Sequence, residues 1–435
     1  MDSEFKRRMS PSLSLTVLAA LTPDPHQVRI ADENLGPIDP GSPLPDLVGV
    51  TVNVDTANRA FRIAAKFRQS GCKVVFGGIH ASADPDSMLP HCDAVCVGEA
   101  ETQWPDIVAD AHSGTLKRIY RAEEPADLAL VPKPAWALVP RSSYLYDNIV
   151  VASRGCPFRC EFCYNSCDYV HNRYRTRPVE NVVDEIKSLG TRQVMFIDDN
   201  LIGDFGWIRR LLDAMEPLGL TWHGAVSANL VHHPDLVARM AATGCRSLFI
   251  GFESIHAESI RSAGKTQNRI EEYDRLIRML HDHGIMVNAS LVFGFDHDTP
   301  ETFDLTLRWL IDNRVETMTS HILTPYPGTR LHQRLEREGR IIERDLERYN
   351  TSNATFLPAH MSPEQLREGY LRMYREFYGW RSIVGRRPRD RSRLVPYLLF
   401  NLGYRRYGRI VSLLGRLGLM RAVGRLARRL SYGID

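Results

Sequence analysis

From residue 148 onward, the chain repeats one pattern six times: a short apolar run is followed by a segment with apolar residues at helical spacing. The first run is "NIVVASRGC" (148–156), and the last is "TMTSHILTPYPGT" (317–329). Apolar runs that alternate with helical segments predict βα units and a parallel sheet. Six strands are two fewer than a closed eight-stranded barrel needs. We therefore expect residues 148–335 to form a partial (β/α)6 barrel of the TIM type.

The first 110 residues alternate in the same way on a smaller scale. The segment "TANRAFRIAAKFRQSG" (56–71) has apolar residues at helical spacing and ends at a glycine. The apolar runs around it are "QVRIADEN" (27–34), "LVGVTVN" (47–53), "KVVFGG" (73–78) and "AVCVGEA" (94–100). This pattern predicts a Rossmann-like, doubly wound α/β domain over residues 1–110, whose ligands bind beyond the carboxyl ends of the strands.

The regions on either side of the barrel lack this alternation. Residues 111–147 contain several prolines and few periodic runs, which indicates a linker between domains. Residues 336–435 predict a helical C-terminal extension, and its part from 381 onward has 14 Arg and two Asp but no Glu or Lys. This Arg-rich tail carries Leu, Val and Ile at helical spacing. It could pack on the barrel with a solvated basic face, bind an acidic partner or carrier-bound substrate, or make peripheral contact with an anionic membrane.

Composition excludes several classes of protein. Hydrophobic residues at 43% and charged residues at 25% are ordinary for a globular protein with a core. A net charge of +3 does not indicate nucleic acid, and the aromatic residues form no RNA-binding signature. The apolar stretch "LSLTVLAALT" is too short and poorly placed for a secretion signal, no run of about 18 apolar residues predicts a membrane span, and eight cysteines are too sparse for a disulfide scaffold. We expect a cytoplasmic protein with reduced thiols and no nucleic-acid partner.

Three cysteines stand close together in "SRGCPFRCEFCYN" (153–165): Cys156, Cys160 and Cys163. A structural zinc site usually takes four ligands from two separated pairs, and no second Cys-x2-Cys follows, although Cys167 could serve as a fourth ligand. A 4Fe–4S cluster held by three thiolates keeps one iron open. The compact spacing, the odd ligand count and the position after the first barrel strand favour the cluster. Zinc and chance clustering remain alternatives at this point.

The cysteine loop also resembles a known signature. Cys-x3-Cys-x2-Cys with an aromatic residue before the last cysteine, here Phe162, is similar to the motif of the radical S-adenosylmethionine (SAM) enzymes, and the resemblance covers residues ~148–335. It implies that Cys156, Cys160 and Cys163 ligate three irons and that SAM chelates the fourth. An electron donor such as flavodoxin or ferredoxin would supply the electron that cleaves SAM. The resulting 5′-deoxyadenosyl radical would then abstract a hydrogen atom from a small-molecule substrate.

The resemblance assigns SAM contacts to the ends of later strands. The matching segments are "FIDDN" (196–200), "SAN" (227–229), "GFES" (251–254) and "VNASLVFGFDHDT" (287–299). The implied SAM-binding residues are Phe162, Asp198, Asp199, Ser227, Glu253, Val292 and Gly294. The alternative for the two aspartates is that they cap the next helix, and the alternative for Ser227 and Glu253 is helix capping or a salt bridge inside the barrel.

The first domain resembles the cobalamin-binding domain that is joined to many radical SAM enzymes. The pieces that carry this resemblance are "ADENLGPID", "DLVGVTVN", "GGIHASADPDSML" and "DAVCVGEAE", in that order. The implied cobalamin contacts are Thr51, Asn53, Gly77, Gly78, His80, Gly98 and Glu99. The DxHxxG motif that supplies a histidine to cobalt elsewhere is absent, and only "MDSEFKRRMS" is available for an opening strand. The alternatives are a degenerate domain kept for packing or substrate closure and, for His80, a hydrogen-bonding role in its loop.

Together these resemblances imply a cobalamin-dependent methyl transfer to a carbon of a small metabolite. Two other functions stay open at this point. One is a radical cyclisation or rearrangement in which cobalamin is absent or only auxiliary. The other is a zinc-stabilised binding module with a basic tail.

Overall fold

The computed structural model describes residues 9–167, 169, 173–390 and 393–404, together with residues 417, 419, 422 and 426. This part of the chain contains a four-stranded and a six-stranded parallel sheet, both with helices, and a two-stranded antiparallel ribbon. The α/β class predicted from the alternation of elements is confirmed. Most of the predicted Arg-rich tail lies outside the described residues. No helix in the described part is long and apolar enough to cross a membrane.

The N-terminal sheet has its strands in chain order, and all of them are parallel. Its strands are β1 (Leu47–Thr51), β2 (Lys73–Gly77), β3 (Ala94–Val97) and β4 (Ile119–Arg121). The helices of this region are α1 (Leu13–Leu21), α2 (Ala57–Gln69), α3 (Ile79–Ala83), α4 (Pro85–Met88) and α5 (Trp104–Ser113). Helix α2 buries Ala60, Ile63 and Phe67 on one face, as its helical spacing predicts, and so covers the sheet.

Two boundaries in this region differ from the sequence-based expectation. Residues 27–34 form no strand, because the Asp32 carboxylate accepts hydrogen bonds from the Asn34 amide at 2.8 Å and the Tyr144 hydroxyl at 2.5 Å, which hold the chain in a turn. Residues 119–121, which we assigned to the linker, form β4. Arg118 fixes this strand by donating to backbone carbonyls, and Tyr120 is buried. The sheet therefore extends past the expected domain boundary.

The six-stranded sheet is the open barrel. In spatial order its strands follow the chain, and every neighbouring pair is parallel. They are β5 (Ile149–Val150), β8 (Gln193–Phe196), β9 (Thr221–Val226), β10 (Cys245–Glu253), β11 (Met286–Phe293) and β12 (Thr317–Ile322). The antiparallel ribbon consists of β6 (Ser153–Arg154) and β7 (Arg175–Thr176). The six strands expected from the repeated pattern are thus present.

Helices cover the outer face of this sheet and follow its strands. They are α6 (Val179–Ser188), α7 (Phe205–Met215), α8 (Pro234–Ala242), α9 (Ala257–Ser262), α10 (Tyr273–Asp282), α11 (Pro300–Asp312) and α12 (Arg330–Arg337). Strand residues such as Leu248 and Val287 pack with Leu276 and Leu280 of α10 in one continuous apolar core. Because both faces of the strands are buried, their sequences are apolar without alternation.

Three helices form the described part of the C-terminal extension: α13 (Pro363–Phe377), α14 (Trp380–Gly385) and α15 (Leu394–Tyr404). Arg386, just after α14, is fully buried, and its guanidinium lies 3.5 Å from the centre of the Phe377 ring. It donates hydrogen bonds to the carbonyls of Val315, Glu316 and Phe377 and to the side chains of Ser382 and Asn401. A single side chain thus anchors α14 and α15 to the amino end of β12.

Candidate active site at the carboxyl ends of the strands

The antiparallel ribbon carries the cysteine loop. β6 leaves the barrel after β5, and the loop runs out between β6 and β7. Gly155, beside the first cysteine, has a φ of +80°, and a Cβ atom there would lie 2.5 Å from the Arg173 carbonyl oxygen. Only glycine fits such a position without moving the opposite backbone. The local sequence therefore bends the chain sharply just before the first thiol.

The three predicted cysteines come together in this loop. Cys160 is buried, and Cys156 and Cys163 are partly buried. The charge of Cys160 raises the pKa of both other thiols, and that of Cys156 raises the pKa of Cys163. Burial raises the pKa of all three thiols, that of Cys163 to about 12. The ammonium group of Lys265 opposes this rise in the pKa of Cys156 and Cys160. Only the thiolate form of cysteine is a metal ligand. A bound metal cation would therefore oppose the effect of burial and keep these thiols deprotonated.

The donor set suits a cluster with one open iron. In the described part of the chain, no three His, Cys, Asp or Glu side chains converge on the position of a single metal ion. The thiolates of a 4Fe–4S cluster need no such convergence, because each binds its own iron. Cys167, the fourth cysteine, is buried, and its thiol donates to the Gly328 carbonyl at 3.2 Å, which engages it with the loop after β12.

Phe162 and Gly294 meet where the cysteine loop touches the barrel. The ring of Phe162 packs edge-on against that of Phe295, with 5.9 Å between their centres. Gly294 has a φ of +108°, and a Cβ atom there would lie 2.9 Å from Leu366. Val292 is buried within β11. These residues shape the exit of the fifth barrel strand, and their contact with SAM remains a prediction.

The two aspartates of "FIDDN" lie beside the ribbon and do not cap the next helix. Asp198 is buried and accepts hydrogen bonds from the amides of Ala152 and Ser153 and from the Ser153 hydroxyl. Asp199 is exposed, and its charge adds to burial in raising the pKa of Cys156. The alternative of capping is wrong, because Asp204 caps α7 through the amide of Trp207. Asp198 therefore holds the backbone just after β5 in place, and Asp199 lies near the thiols.

Ser227 reveals a neighbour that the sequence analysis did not select. Its amide donates to Oδ1 of Asn200 at 3.2 Å, and its hydroxyl donates to Asn229 at 2.6 Å. The Asn200 side chain is buried, and its Nδ2 has no hydrogen-bond partner among the described residues. A buried amide donor without a partner is costly, so it suits a ligand with an acceptor group. Asn200 ends the quoted run "FIDDN", but its type alone does not distinguish it from a turn residue.

Glu253 forms the salt bridge inside the barrel that we gave as its alternative role. Its carboxylate lies 2.8 Å from Nζ of Lys265, and both side chains are largely buried. Glu253 has a φ of +63°, which is uncommon for a residue with a side chain. A Cβ atom at Gly251 would lie 2.5 Å from the Glu253 carboxylate, so a glycine there makes room for the pair. Lys265, which the sequence analysis missed, thus connects Glu253 to the cysteine loop, and the SAM contact of Glu253 remains a prediction.

Most of the predicted cobalamin residues lie at the carboxyl ends of β1, β2 and β3. Gly78 has a φ of +98°, and a Cβ atom there would be 2.8 Å from the Thr51 hydroxyl. Asn53 caps the turn after β1, and the Gly98 amide donates to the Ser82 hydroxyl oxygen at 2.9 Å. Gly77 is the last residue of β2. The loops therefore approach closely and have little side-chain bulk where a ligand would rest.

His80 does not have the hydrogen-bonding role in its loop that we gave as an alternative. Its ring is fully buried, and neither ring nitrogen has a hydrogen-bond partner among the described residues. Burial lowers the pKa of His80, so the ring is neutral near pH 7 and offers one donor and one acceptor. Such a ring fits a polar ligand group at the end of β2.

Glu99 belongs to a group of four charged side chains that we call the ribbon clamp: Glu99, Glu101, Arg154 and Arg175. The two arginines lie opposite each other on β6 and β7, and the two glutamates follow β3. Arg154 pairs closely with Glu101, and Arg175 with Glu99. Although burial opposes ionisation, the two arginines hold the pKa of Glu99 below its ordinary value. The carboxylate of Glu99 is therefore engaged in the clamp, and its contact with cobalamin remains a prediction.

A stack of aromatic rings lies beside the thiols. Tyr164, directly after Cys163, stacks on Tyr326 with 4.9 Å between the ring centres. The hydroxyls of Tyr164 and Tyr169 are buried and have no hydrogen-bond partner among the described residues. Nearby, a Cβ atom at Gly328 would lie 3.0 Å from that of Ala83 in α3, so the loop after β12 packs on the N-terminal region. The ends of both parallel sheets thus meet around the cysteine loop.

The comparison with protein families decides the chemistry of this loop. Residues 150–310 match the model of the Radical SAM superfamily. They belong to the radical SAM superfamily. The chain is accordingly a radical SAM enzyme whose cofactors include a 4Fe–4S cluster and SAM, and the zinc alternative is set aside. Residues 329–395 match a domain of unknown function, DUF4070.

Known relatives of this radical SAM enzyme cover most of its length. Bacteriochlorophyllide d C-12(1)-methyltransferase of Chlorobaculum tepidum is 29% identical over 87% of this chain and 85% of its own. Hopanoid C-2 methylase of Rhodopseudomonas palustris is 29% identical over 80% of this chain and 68% of its own. The solved structure of the cobalamin-dependent radical SAM enzyme OxsB, with aqua-cobalamin and SAM bound, superimposes with a TM-score of 0.68. The superposition covers 98% of this chain and 71% of OxsB, with 16% sequence identity, and it supports the fold.

Proposed function

We propose that this radical SAM enzyme is a cobalamin-dependent methyltransferase that acts on a carbon atom of a small metabolite. The observation that carries the proposal is the junction itself, where the ends of the N-terminal sheet face the cysteine loop across the ribbon clamp. The names of both relatives, a C-12(1)-methyltransferase and a C-2 methylase, support methyl transfer to carbon. OxsB, which has a similar fold, was solved with cobalamin and SAM together.

Different side chains at the junction bind the cluster and SAM. Cys156, Cys160 and Cys163 hold the cluster, and Asn200 offers its buried amide donor to SAM. When bound, the cluster supplies the electron that cleaves SAM, and cobalamin supplies the methyl group. Lys265 keeps positive charge beside the thiolates, and its pairing with Glu253 fixes the position of that charge.

Two observations support the binding of cobalamin at the carboxyl ends of the N-terminal strands. Gly78 lets the loop after β2 lie directly against Thr51 and Val52 at the end of β1, which brings the ends of these strands close together. His80 supplies buried ring nitrogens that lack a partner among the described residues, and a polar group on the corrin edge would satisfy them. The residues present therefore suit a large ring-shaped ligand at this edge.

A flavodoxin or ferredoxin is the proposed electron donor, because reductive cleavage of SAM needs a single electron from outside the chain. Such a donor would approach the cysteine loop from the solvent side. The partly buried state of Cys156 and Cys163 leaves the loop near the surface for this approach.

Anaerobic purification with added hydroxocobalamin tests the proposal. We expect about four irons per chain, cobalt in equal molar amount to the protein, and transfer of a labelled methyl group from SAM to product. Iron and 5′-deoxyadenosine formation without cobalt would contradict cobalamin dependence and favour a radical cyclisation or rearrangement. A preparation that binds cobalt but forms no methylated product from any ring or chain substrate would argue for an auxiliary role of cobalamin.

A further inference from the structure

The last two described helices expose apolar side chains in a regular arrangement. On α14, Trp380 and Val384 lie one turn apart and are 53% and 57% exposed. On α15, Val395 and Leu399 are also one turn apart and 42% and 36% exposed. Residues at i and i+4 share one face of a helix. Each helix therefore carries two partly exposed apolar side chains on one face, and we call the two pairs the C-terminal face.

A cavity of about 350 Å³ with a basic lining lies between the end of α14 and the start of α15. It is lined by Arg314, Gly385, Arg387, Pro388, Arg389 and Leu394. Gly385 directly follows Val384, and Leu394 directly precedes Val395, so each of these two lining residues is the chain neighbour of one exposed apolar residue. Within the described part of the chain, no carboxylate forms an ion pair with any of the three lining arginines. Their positive charge is therefore available to an external anion.

Three arginines line this one cavity, and Arg387 also donates to the Val384 carbonyl at 3.0 Å. Arginines grouped in this way match the chemistry of a phosphate group, which accepts several charge-assisted hydrogen bonds. Exposed apolar side chains next to the lining residues in the chain match a layer of acyl chains just beyond the phosphates. A soluble anion would use the arginines but not the apolar pairs. An anionic membrane uses both, because its phosphates lie directly above its hydrocarbon.

We propose that the C-terminal face docks on an anionic membrane surface, with a lipid phosphate in the arginine-lined cavity. The sequence beyond residue 404 continues with Arg interleaved with Leu, which adds charge of the same sign. This inference stands apart from the methyl transfer proposed above, since none of the residues involved belongs to the active site.

The docked orientation follows from the fold. Arg314 comes just before β12, so the cavity lies at the amino ends of the barrel strands. The cysteine loop follows the carboxyl end of β5, at the opposite end of the barrel. Docking therefore leaves the active site turned away from the lipid and open to a soluble electron donor. The buried Arg386 anchor makes the docking face rigid with respect to the barrel.

Vesicle sedimentation with the full chain tests this proposal. We expect binding to vesicles of phosphatidylcholine mixed with phosphatidylglycerol, little binding to phosphatidylcholine alone, and a loss of binding at high salt. The double variant Arg387→Gln/Arg389→Gln should weaken binding by about thirtyfold, since each basic side chain near the surface adds roughly one factor of five. Trp380→Ser/Val384→Ser should weaken binding at low salt and leave its salt dependence unchanged, because it removes apolar contacts and no charge.

A matched control keeps the test specific. Leu130→Ser/Arg344→Gln removes one exposed apolar and one exposed basic residue elsewhere, and it should bind like the unchanged protein. Equal loss in this control would overturn the assignment of the face, as would absence of binding to anionic vesicles. Binding to inorganic phosphate alone, measured by calorimetry, without vesicle binding would also overturn it. Displacement of the vesicles by a short DNA strand at equal phosphate concentration would assign the face to nucleic acid instead.

Discussion

Lys265 shows how one side chain can set the state of several others. Burial raises the pKa of the three cluster thiols, and Lys265 is the cation that opposes this for Cys156 and Cys160. It reaches this position through a salt bridge with Glu253, whose backbone takes a left-handed conformation. A strained residue that is held by surrounding contacts is typical of functional sites. The charge balance of the cluster therefore depends on a residue from the loop after α9.

Two cysteine variants distinguish the role of the three ligand cysteines, the cysteine triad, from that of Cys167. Cys160→Ala should lose the cluster and all 5′-deoxyadenosine formation, because only two thiolates would remain for three irons. Cys167→Ala removes a thiol of similar burial that donates to the Gly328 carbonyl, and it should keep both iron and activity. Iron analysis and the visible absorption of anaerobically prepared protein measure the result. Retained SAM cleavage in Cys160→Ala would refute the role of the triad.

His223 predicts acid sensitivity of the barrel. Burial lowers its pKa from 6.5 to about 4, and its ring hydrogen-bonds to Gln193 and Ser247. Because the unfolded chain takes up this proton near pH 6.5 and the folded one only near pH 4, stability falls as pH drops through that window. Between pH 7 and pH 5 the free energy of unfolding should fall by about 2 kcal/mol from this group.

Urea unfolding of the unchanged protein and of His223→Gln at both pH values measures this effect. The variant should lose about 2 kcal/mol less between pH 7 and pH 5 than the unchanged protein. His283, which is exposed and whose ring hydrogen-bonds to the Met279 carbonyl, provides the control variant His283→Gln. The same pH dependence in all three proteins would show that His223 does not cause it.

At the scale of elements, the ribbon clamp joins the N-terminal sheet to the base of the cysteine loop. β6 and β7 contribute one arginine each, and the loop after β3 contributes both glutamates. The clamp holds the ribbon from one side only, and the barrel holds it from the other through Asp198. The position of the thiols relative to the N-terminal sheet therefore depends on these few ion pairs.

A charge exchange tests the clamp. Arg154→Glu and Glu101→Arg should each change the electron paramagnetic resonance signal that reports SAM binding to the reduced cluster. They should also increase hydrogen exchange in the ribbon, since a partly buried pair contributes about 1–3 kcal/mol. The double variant should restore both signals in large part. Arg173→Gln, which removes an exposed pair with Glu124, should change neither. If the double variant is as impaired as the single ones, the clamp does not act through pairing.

The elements also show how far sequence reasoning reaches. The six barrel strands were predictable because strands buried on both faces read as continuous apolar runs. β4 was missed because it is three residues long and flanked by charges, and only pairing with β3 makes it a strand. Residues 27–34 looked like a strand, but side-chain bonds to Asp32 hold them in a turn.

The cysteine triad was predictable from spacing, whereas its polar neighbours were not. Asn200, Lys265 and the clamp arginines come from separate parts of the chain, and their sequence context is that of ordinary surface residues. Their roles arise only when distant strands bring them together in a buried place. Local patterns carry information about local contacts and none about such long-range approach.

For the molecule as a whole, Arg386 determines whether the C-terminal helices stay on the barrel. Arg386→Met keeps the length of the side chain but leaves the carbonyls of Val315 and Phe377 and the amide of Asn401 without their donor. We expect the free energy of unfolding to fall by about 3 kcal/mol, because each unsatisfied buried acceptor costs roughly 1–3 kcal/mol. Arg387→Gln, next to it and exposed, should change stability by less than about 0.5 kcal/mol.

Urea unfolding and limited proteolysis check this expectation. Cleavage between α13 and α15 should become faster in Arg386→Met and stay unchanged in Arg387→Gln. An unchanged cleavage pattern in Arg386→Met would mean that the helices hold to the barrel through their apolar contacts alone.

The ribbon that bears the thiols joins the barrel at its edge, through a β5 strand of two residues, and none of the three ligand cysteines belongs to the continuous apolar cluster of the barrel. Removal of the iron should therefore loosen the cysteine loop and its ribbon, and the barrel should stay folded. A cluster that oxygen has destroyed could then be rebuilt with iron and sulfide in the folded protein, without unfolding of the chain.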